Sequence, residues 1–384
     1  SKWRWNRCQF TERSLLNHVK KVYMSISKQI KAYILRILSR KKPSGFNIKK
    51  ARSILFFRYD RIGDMVVTTP VFRELKLVYP HINITVLASK ANQDILLDNP
   101  YVDHIITNHK NNLLGDLPSL LRLRKQQFDV CIEFDHSVVP HAIIRLKIIN
   151  PKIIISVKKD GRYGVDGSEL SLYDYYTKKS KGAHFSDVWL ATLKPFGIEP
   201  KSNSYNLFIT NKRQEQSQNF VRQYSSRFLV GINLKGSVEG RQIKFSDLYQ
   251  ICQGLYQKNE NIQIIIFTTP DTFQDVNSKI IEMALDYVVT SYKTDTILDV
   301  VALASQLDLI ITPDTSIVHI ASAFNKPIVA IYENKQDNYQ LFSPTSSLHN
   351  TVFSSKKDTL DGYDIQKVIE YSNKIMNIFP FRRK

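Results

Sequence analysis

The run Arg58-Tyr59-Asp60-Arg61-Ile62-Gly63-Asp64, followed by Thr68-Thr69-Pro70, gathers two carboxylates, two guanidinium groups and a glycine into one short turn of chain. It comes after an apolar segment, Ser53-Ile54-Leu55-Phe56-Phe57, and leads into helical spacing of Val66, Val67, Phe72, Leu75, Leu77 and Val78. That order predicts a strand, a tight loop and a helix, with Asp64 at the carboxyl end of a buried strand. Open α/β sheets build their sites there, because backbone N–H groups and side chains converge in the crevice beyond the strand ends. A carboxylate in such a place is a candidate general base.

A second strand-to-helix turn carries different chemistry. Leu309-Ile310-Ile311-Thr312 reads as a buried strand, and Pro313-Asp314-Thr315-Ser316 opens a helix running through His319. Asp314 is the expected N-cap, and the free N–H groups and hydroxyls beside it suit a phosphate or diphosphate, with His319 one turn on. The plainer reading, a capped helix with a half-buried histidine, stays open. After the strand at 228–233, the loop Asn233–Lys244 brings Gly236, Ser237, Gly240, Arg241 and Lys244 to the same side. Its glycine spacing is too short for a P-loop, and no Gly-x-Gly-x-x-Gly follows an expected strand, which argues against a nicotinamide enzyme. Glu133-Phe134-Asp135-His136 is expected to line a cleft without binding a metal. No zinc-hydrolase or serine-hydrolase pattern is present.

Positioning these turns requires a regular scaffold. Apolar β-branched runs at 54–57, 84–88, 104–106, 130–134 and 153–157 alternate with helical stretches such as 65–78 and 113–126. A break near 195–200 precedes a second set at 228–233, 262–268, 287–290, 309–312 and 328–332. Continuous apolar strands separated by helices argue for parallel sheets covered on both faces. The expected architecture is α/β, with two Rossmann-like domains facing across a cleft. The expected divisions are a helical extension over 1–45, an N-terminal domain over 46–205, a C-terminal domain over 206–355, and a last helix in 356–384 packing back toward the N-terminal domain.

With 384 residues, 43% hydrophobic and 23% charged, the chain has the composition of a soluble globular protein with room for two cores. Its three cysteines, Cys8, Cys131 and Cys252, have no metal-like spacing and read as thiols in a reducing compartment. Of the net charge of +19, residues 1–52 hold +14, from 15 Lys or Arg against Glu12 alone. Within them Leu15, Leu16, Val19, Val22, Tyr23, Ile26, Ile30, Tyr33, Ile34 and Ile37 recur at helical spacing on one face. A basic amphipathic helix on an anionic membrane fits this pattern, with residues 13–42 as the contact. A helix packed on the body and an organelle transit peptide fit it too. No stretch reaches the roughly 18 apolar residues that span a bilayer. Nucleic acid is not an expected partner, since the body lacks a matching basic face.

Taken together, Arg58–Asp64 with Thr69-Pro70, and Asp308-Leu-Ile-Ile-Thr-Pro-Asp-Thr-Ser-Ile-Val-His319, resemble glycosyltransferase family 9, the ADP-heptose:lipopolysaccharide heptosyltransferases. The resemblance runs over about residues 52–380. It implies a GT-B fold and inverting, metal-independent sugar transfer, with no cofactor beyond a nucleotide-sugar co-substrate, ADP-heptose. Asp64 matches the family's catalytic aspartate, and Ser237 and Arg241 fall where the donor loop holds diphosphate. Asp314, Thr315, Ser316 and His319 match the donor-binding helix start, while Arg61 and His136 are assigned to the acceptor. The implied acceptor is the lipid A–core oligosaccharide. The implied location is the cytoplasmic face of a bacterial inner membrane, with the basic extension holding the enzyme there.

Three departures from the family pattern bear on the donor: Ser316 replaces a glycine, Arg241-Gln242-Ile243-Lys244 replaces Lys-Arg-Trp-Pro, and Thr268-Thr269-Pro270-Asp271 occupies the nucleoside region. Another nucleotide-sugar transferase or isomerase, or a non-catalytic membrane-docked binding protein, are the other readings. One further expectation concerns Asp64. In the first turn of a helix, the dipole favours its ionised form and weakens it as a base.

Overall fold

The computed structural model describes residues 29–378 apart from 109–111, 178–181, 237 and 239. Ser237, Cys8 and most of the basic extension therefore lie outside the described residues. Among the described residues twelve strands form two sheets. The first holds β1 (Ser53–Arg58), β2 (Asn83–Ser89), β3 (His104–Asn108), β4 (Val130–Glu133), β5 (Ile153–Val157) and β6 (Tyr175–Thr177). The second holds β7 (Phe228–Ile232), β8 (Ile262–Ile266), β9 (Val288–Thr290), β10 (Leu309–Pro313), β11 (Ile328–Tyr332) and β12 (His349–Phe353). Between them run α1 (Ile62–Val78), α2 (Leu113–Gln126), α3 (Pro140–Ile149), α4 (Phe185–Leu190), α5 (Asn211–Arg222), α6 (Phe245–Tyr256), α7 (Phe273–Glu282), α8 (Ile297–Gln306), α9 (Ser316–Ala323), α10 (Gln336–Phe342) and α11 (Ile365–Ile378).

The first sheet is ordered β3-β2-β1-β4-β5-β6, and the second β9-β8-β7-β10-β11-β12 when read from its β9 edge. Both are therefore the same doubly wound pattern, with its reversal beside the first strand of each sheet. Pairing is parallel, as in Ile54–Phe57 against Val130–Glu133 and Leu309–Ile311 against Val230–Ile232. Strands covered on both faces bury every side chain, which is why Ile262–Ile266 and Ile328–Tyr332 are almost entirely apolar. Gln263 is the exception; Arg227 Nη1 donates to its Oε1 at 2.7 Å. Cys131 and Cys252 are buried free thiols.

The chain divides into two compact units, residues 1–57 with 111–179 and residues 58–110 with 180–384. In the second unit α1 is tied to the segment that follows α4. Arg73 Nη2 donates to the Ser202 carbonyl at 2.6 Å, and Lys201 N donates to Glu74 Oε2 at 2.8 Å. Pro70 inside α1 cannot donate to the Val66 carbonyl, and the Thr69 hydroxyl does so instead at 2.7 Å. The Thr-Pro pair is thus a self-repaired helix interruption. The core of the second sheet takes in Val368, Ile369, Ile375 and Met376 of α11. This helix packs on α6 and the second sheet, because its apolar stripe continues that core.

In the first unit, residues 29–38 form a helix. It is seated by a narrow stripe, Ala32, Leu35 and Ser39, all buried. Arg36 Nη2 donates to the Gly164 carbonyl at 3.1 Å, Arg36 also pairs with Glu169, and Ser171 Oγ donates to the Ser39 carbonyl at 3.3 Å. The stripe read from the sequence, Ile30, Tyr33, Ile34 and Ile37, stays exposed. Among the described residues no helix is long and apolar enough to cross a membrane.

Candidate active site

Asp64 and its neighbours, the start of α9 and the loop after β7 all belong to the second unit. Asp64 lies in the first turn of α1 and keeps 15% of its side-chain surface open. Its Oδ2 accepts the Arg61 backbone N–H at 3.3 Å, and its Oδ1 meets Arg58 Nη2 at 3.1 Å. Arg58 is 3% exposed, pairs also with Asp60 at 3.3 Å, and lies with Cζ 4.0 Å from the Trp189 ring centroid. An aromatic face under a guanidinium fixes its plane and so aims the carboxylate. Burial pushes the Asp64 carboxyl above its ordinary value, and nearby Asp60 adds to this. Arg58, the Arg61 N–H and the Arg61 charge pull the other way without winning. The expected weakening of Asp64 by the helix dipole is thus reversed, because desolvation outweighs the favourable contacts.

Gly63 explains how α1 reaches the second strand-to-helix turn. A Cβ there would stand 2.9 Å from His319 Cδ2 and 3.5 Å from the Ser316 Cα. Only a glycine lets the α1 and α9 starts come this close. A Cβ on Gly236 would likewise meet Thr315 Cγ2 at 2.6 Å, so the β7 loop lies on the same turn. The α9 cap is Thr315, not Asp314 as expected: Ile317 N donates to Thr315 Oγ1 at 3.3 Å. Asn233 Nδ2 donates to both Thr312 and Thr315 hydroxyls, at 3.1 and 3.0 Å, and fixes that cap. Asp314 turns instead to Arg241, Oδ2 to Nη1 at 2.7 Å. Arg241 is also gripped by both Glu333 oxygens, at 3.0 and 3.1 Å. Burial raises the Asp314 carboxyl against the pull of Arg241 and Arg61, with Glu333 adding to the rise. The Arg61 charge favours the ionised forms of Asp64 and Asp314 alike.

The family model for glycosyltransferase family 9 (heptosyltransferase) matches residues 120–364, more than half of the chain. The chain belongs to glycosyltransferase family 9. The lipopolysaccharide core heptosyltransferase OpsX of Haemophilus influenzae is 21% identical over 306 residues, covering 78% of this chain and 84% of that protein. The fold is shared with a family 9 glycosyl transferase of Veillonella parvula, at TM-score 0.70 and 18% identity over 85% of this chain and 98% of that one. It is shared also with Escherichia coli ADP-heptose lipopolysaccharide heptosyltransferase II, at TM-score 0.66 and 18% identity over 85% and 99%. The chain is thus a glycosyltransferase of the heptosyltransferase family, with two parallel sheets in the GT-B manner.

Of the residues singled out in the sequence of this family 9 enzyme, Asp64, Arg61, Arg241, Asp314, Thr315, Ser316 and His319 are brought to one pair of helix starts and the loop between. Ser237 lies outside the described residues. His319 is 4% exposed and packs on Gly63 and the Tyr205 ring, with centroids 6.0 Å apart. Burial lowers it to about 3, so the ring is neutral, and its Nδ1 finds no hydrogen-bond partner among the described residues. It is the joint of the two helices rather than an open ligand. His136 sits exposed after β4 in the first unit. Glu133, expected at a cleft, is 1% exposed; it accepts from Lys159 Nζ at 2.5 Å and Ser156 Oγ at 2.9 Å, as a closed buried pair. Among the described residues no three His, Cys, Asp or Glu side chains gather as a metal site requires. Glu333, Asn233 and Trp189 are site residues the sequence reading missed. Glu333 had a usable signal, an acid directly after the buried run at 328–332.

Proposed function

We propose that the chain moves heptose from ADP-heptose onto a lipid A–core acceptor, with inversion and without a metal ion. The observation that carries this is the close approach of the Gly63-Asp64 turn to the Thr315-Ser316 turn. One chain segment thereby holds a raised-pKa carboxylate, and the other a free helix start beside Arg241. In the reaction the acceptor hydroxyl oxygen forms the bond to the anomeric carbon while the bond to the β-phosphate oxygen breaks. Asp64 takes the hydroxyl proton, and the diphosphate leaves with the electron pair. Arg61 and the N–H groups at the α9 start stabilise the departing charge, and Arg241, held at three points, is placed in advance for it. Asp314 and Glu333 neutralise Arg241 in the free enzyme, so donor binding must exchange carboxylate contacts for phosphate ones. The ADP-heptose donor is supported by the name of the Escherichia coli relative, the core acceptor by that of OpsX. Attachment to an anionic inner-membrane surface through residues 13–42 would bring the enzyme to such an acceptor.

Melting shifts with ADP, UDP, GDP and CMP, followed by transfer assays with the matching sugar nucleotide, test this reading. ADP is expected to raise the melting temperature most, and the acceptor to gain one heptose only when ADP-heptose is supplied. A clear UDP preference would overturn the heptose donor. Conversion of the donor without acceptor would replace transfer by isomerisation.

A further inference from the structure

The first unit carries a helix layer whose outer surface is apolar and basic at once. α2 and α3 lie side by side, and the chain just past the helix over 29–38 meets α3: Arg124 Nη1 of α2 donates to the Ile148 carbonyl at 2.9 Å, and Lys147 Nζ of α3 donates to the Arg40 carbonyl at 2.8 Å. On the first helix Ile30, Tyr33, Ile34 and Ile37 are 55, 65, 48 and 42% exposed, while its buried stripe is spent on the body. On α2 Leu114, Leu117 and Leu121 are 85, 39 and 45% exposed, while Leu120 and Leu123 face inward. Each exposed set repeats at i, i+3 or i+4, and i+7, and so forms a continuous row along its helix. Soluble surfaces rarely carry such rows without a partner.

The charge around the rows selects the partner. Residues 29–42, 113–126 and 140–149 contain one acid, Asp116, and it is buried against Arg145 at 2.8 Å. Lys31, Arg122, Lys125 and Lys147 are exposed beside the rows. The three helices thus carry apolar rows with basic flanks and no exposed acid of their own, while Glu169, exposed beside the first helix, is held by Arg36; such a surface is complementary to anionic headgroups over an acyl layer. We infer that this helix layer is a lipid-docking face, in which the α2 leucines enter an anionic bilayer together with the Ile30–Ile37 row. The choice of partner rests on the reading of a lipid-anchored acceptor. It departs from a purely electrostatic tether in requiring α2, which lies far along the chain from the basic extension.

Cosedimentation of the full chain with phosphatidylglycerol-containing vesicles tests it, with phosphatidylcholine vesicles as control and no donor or acceptor present. Two variants are compared: Leu114→Ser with Leu117→Ser and Leu121→Ser, and Ile30→Ser with Ile34→Ser and Ile37→Ser. Both alter exposed positions, and unchanged melting confirms that they fold. Each is expected to lower partitioning onto anionic vesicles by about tenfold or more, with wild-type transfer to a detergent-solubilised acceptor. Wild-type vesicle binding by the α2 variant would overturn the docking face. So would a concentration-dependent dimer that this variant dissolves, because the rows would then be covered by a second copy. Neither result touches donor binding or transfer, so either leaves the proposed reaction standing.

Discussion

Asp64 combines two contacts that favour its anion with a burial that opposes it, and burial wins. A carboxyl raised in this way is a stronger base than a solvated one once ionised, at a cost in stability. It binds its proton more tightly in the folded than in the unfolded chain. Its contribution to folding is therefore full below the ordinary carboxylate pKa and disappears as pH rises through the folded value. Asp64→Asn, which never ionises, is expected to melt above the parent at pH 7 and to lose that lead by about pH 3. Paired melting curves across pH check this. Equal melting at both values would mean that Arg58 and the Arg61 N–H fully compensate the buried charge. His319 has the opposite sign: lowered to about 3 by burial, it costs folding stability as pH falls from the ordinary histidine range toward that value.

At the scale of elements, the site depends on two helix starts that touch through a missing side chain. Gly63→Ala is expected to destabilise by about 1–3 kcal/mol and to depress transfer, since its Cβ would press on a buried ring at 2.9 Å. Combining it with His319→Ala should recover part of the stability, a coupling that a double-mutant cycle measures. Additive losses would place the strain elsewhere. The sequence announced both turns but not their contact, because nothing local in Arg58–Asp64 says which helix comes against it. It also misassigned the α9 cap. Asp314 and Thr315 both suit the position, and contacts from far along the chain separate them: Arg241, 73 residues away, draws Asp314, and Asn233 holds Thr315. Most central strands were legible as continuous apolar runs. β6 and β12 were not: Tyr175–Thr177 is short, and His349–Phe353 opens with three polar residues and offers only Val352 and Phe353 as an apolar run, as a less covered edge strand can.

For the whole molecule, two sheets of one winding order give the same crevice position to β1 and to β7. That repetition was readable from the alternation of strand and helix patterns, as was the concentration of +14 in the first 52 residues. The direction of the apolar rows was not. Periodicity finds a stripe but cannot tell an inner from an outer one, and here Ala32 and Leu35 take the inner side while Ile30 and Ile34 are left outside. Every part of the functional account passes through a single proton transfer at Asp64. The rate of heptose transfer by Asp64→Asn at saturating ADP-heptose, with ADP affinity measured on the same sample, tests it most directly. If Asp64 takes the acceptor proton, the rate falls by about 10²–10⁴-fold with ADP affinity kept; transfer at the parent rate would contradict that role.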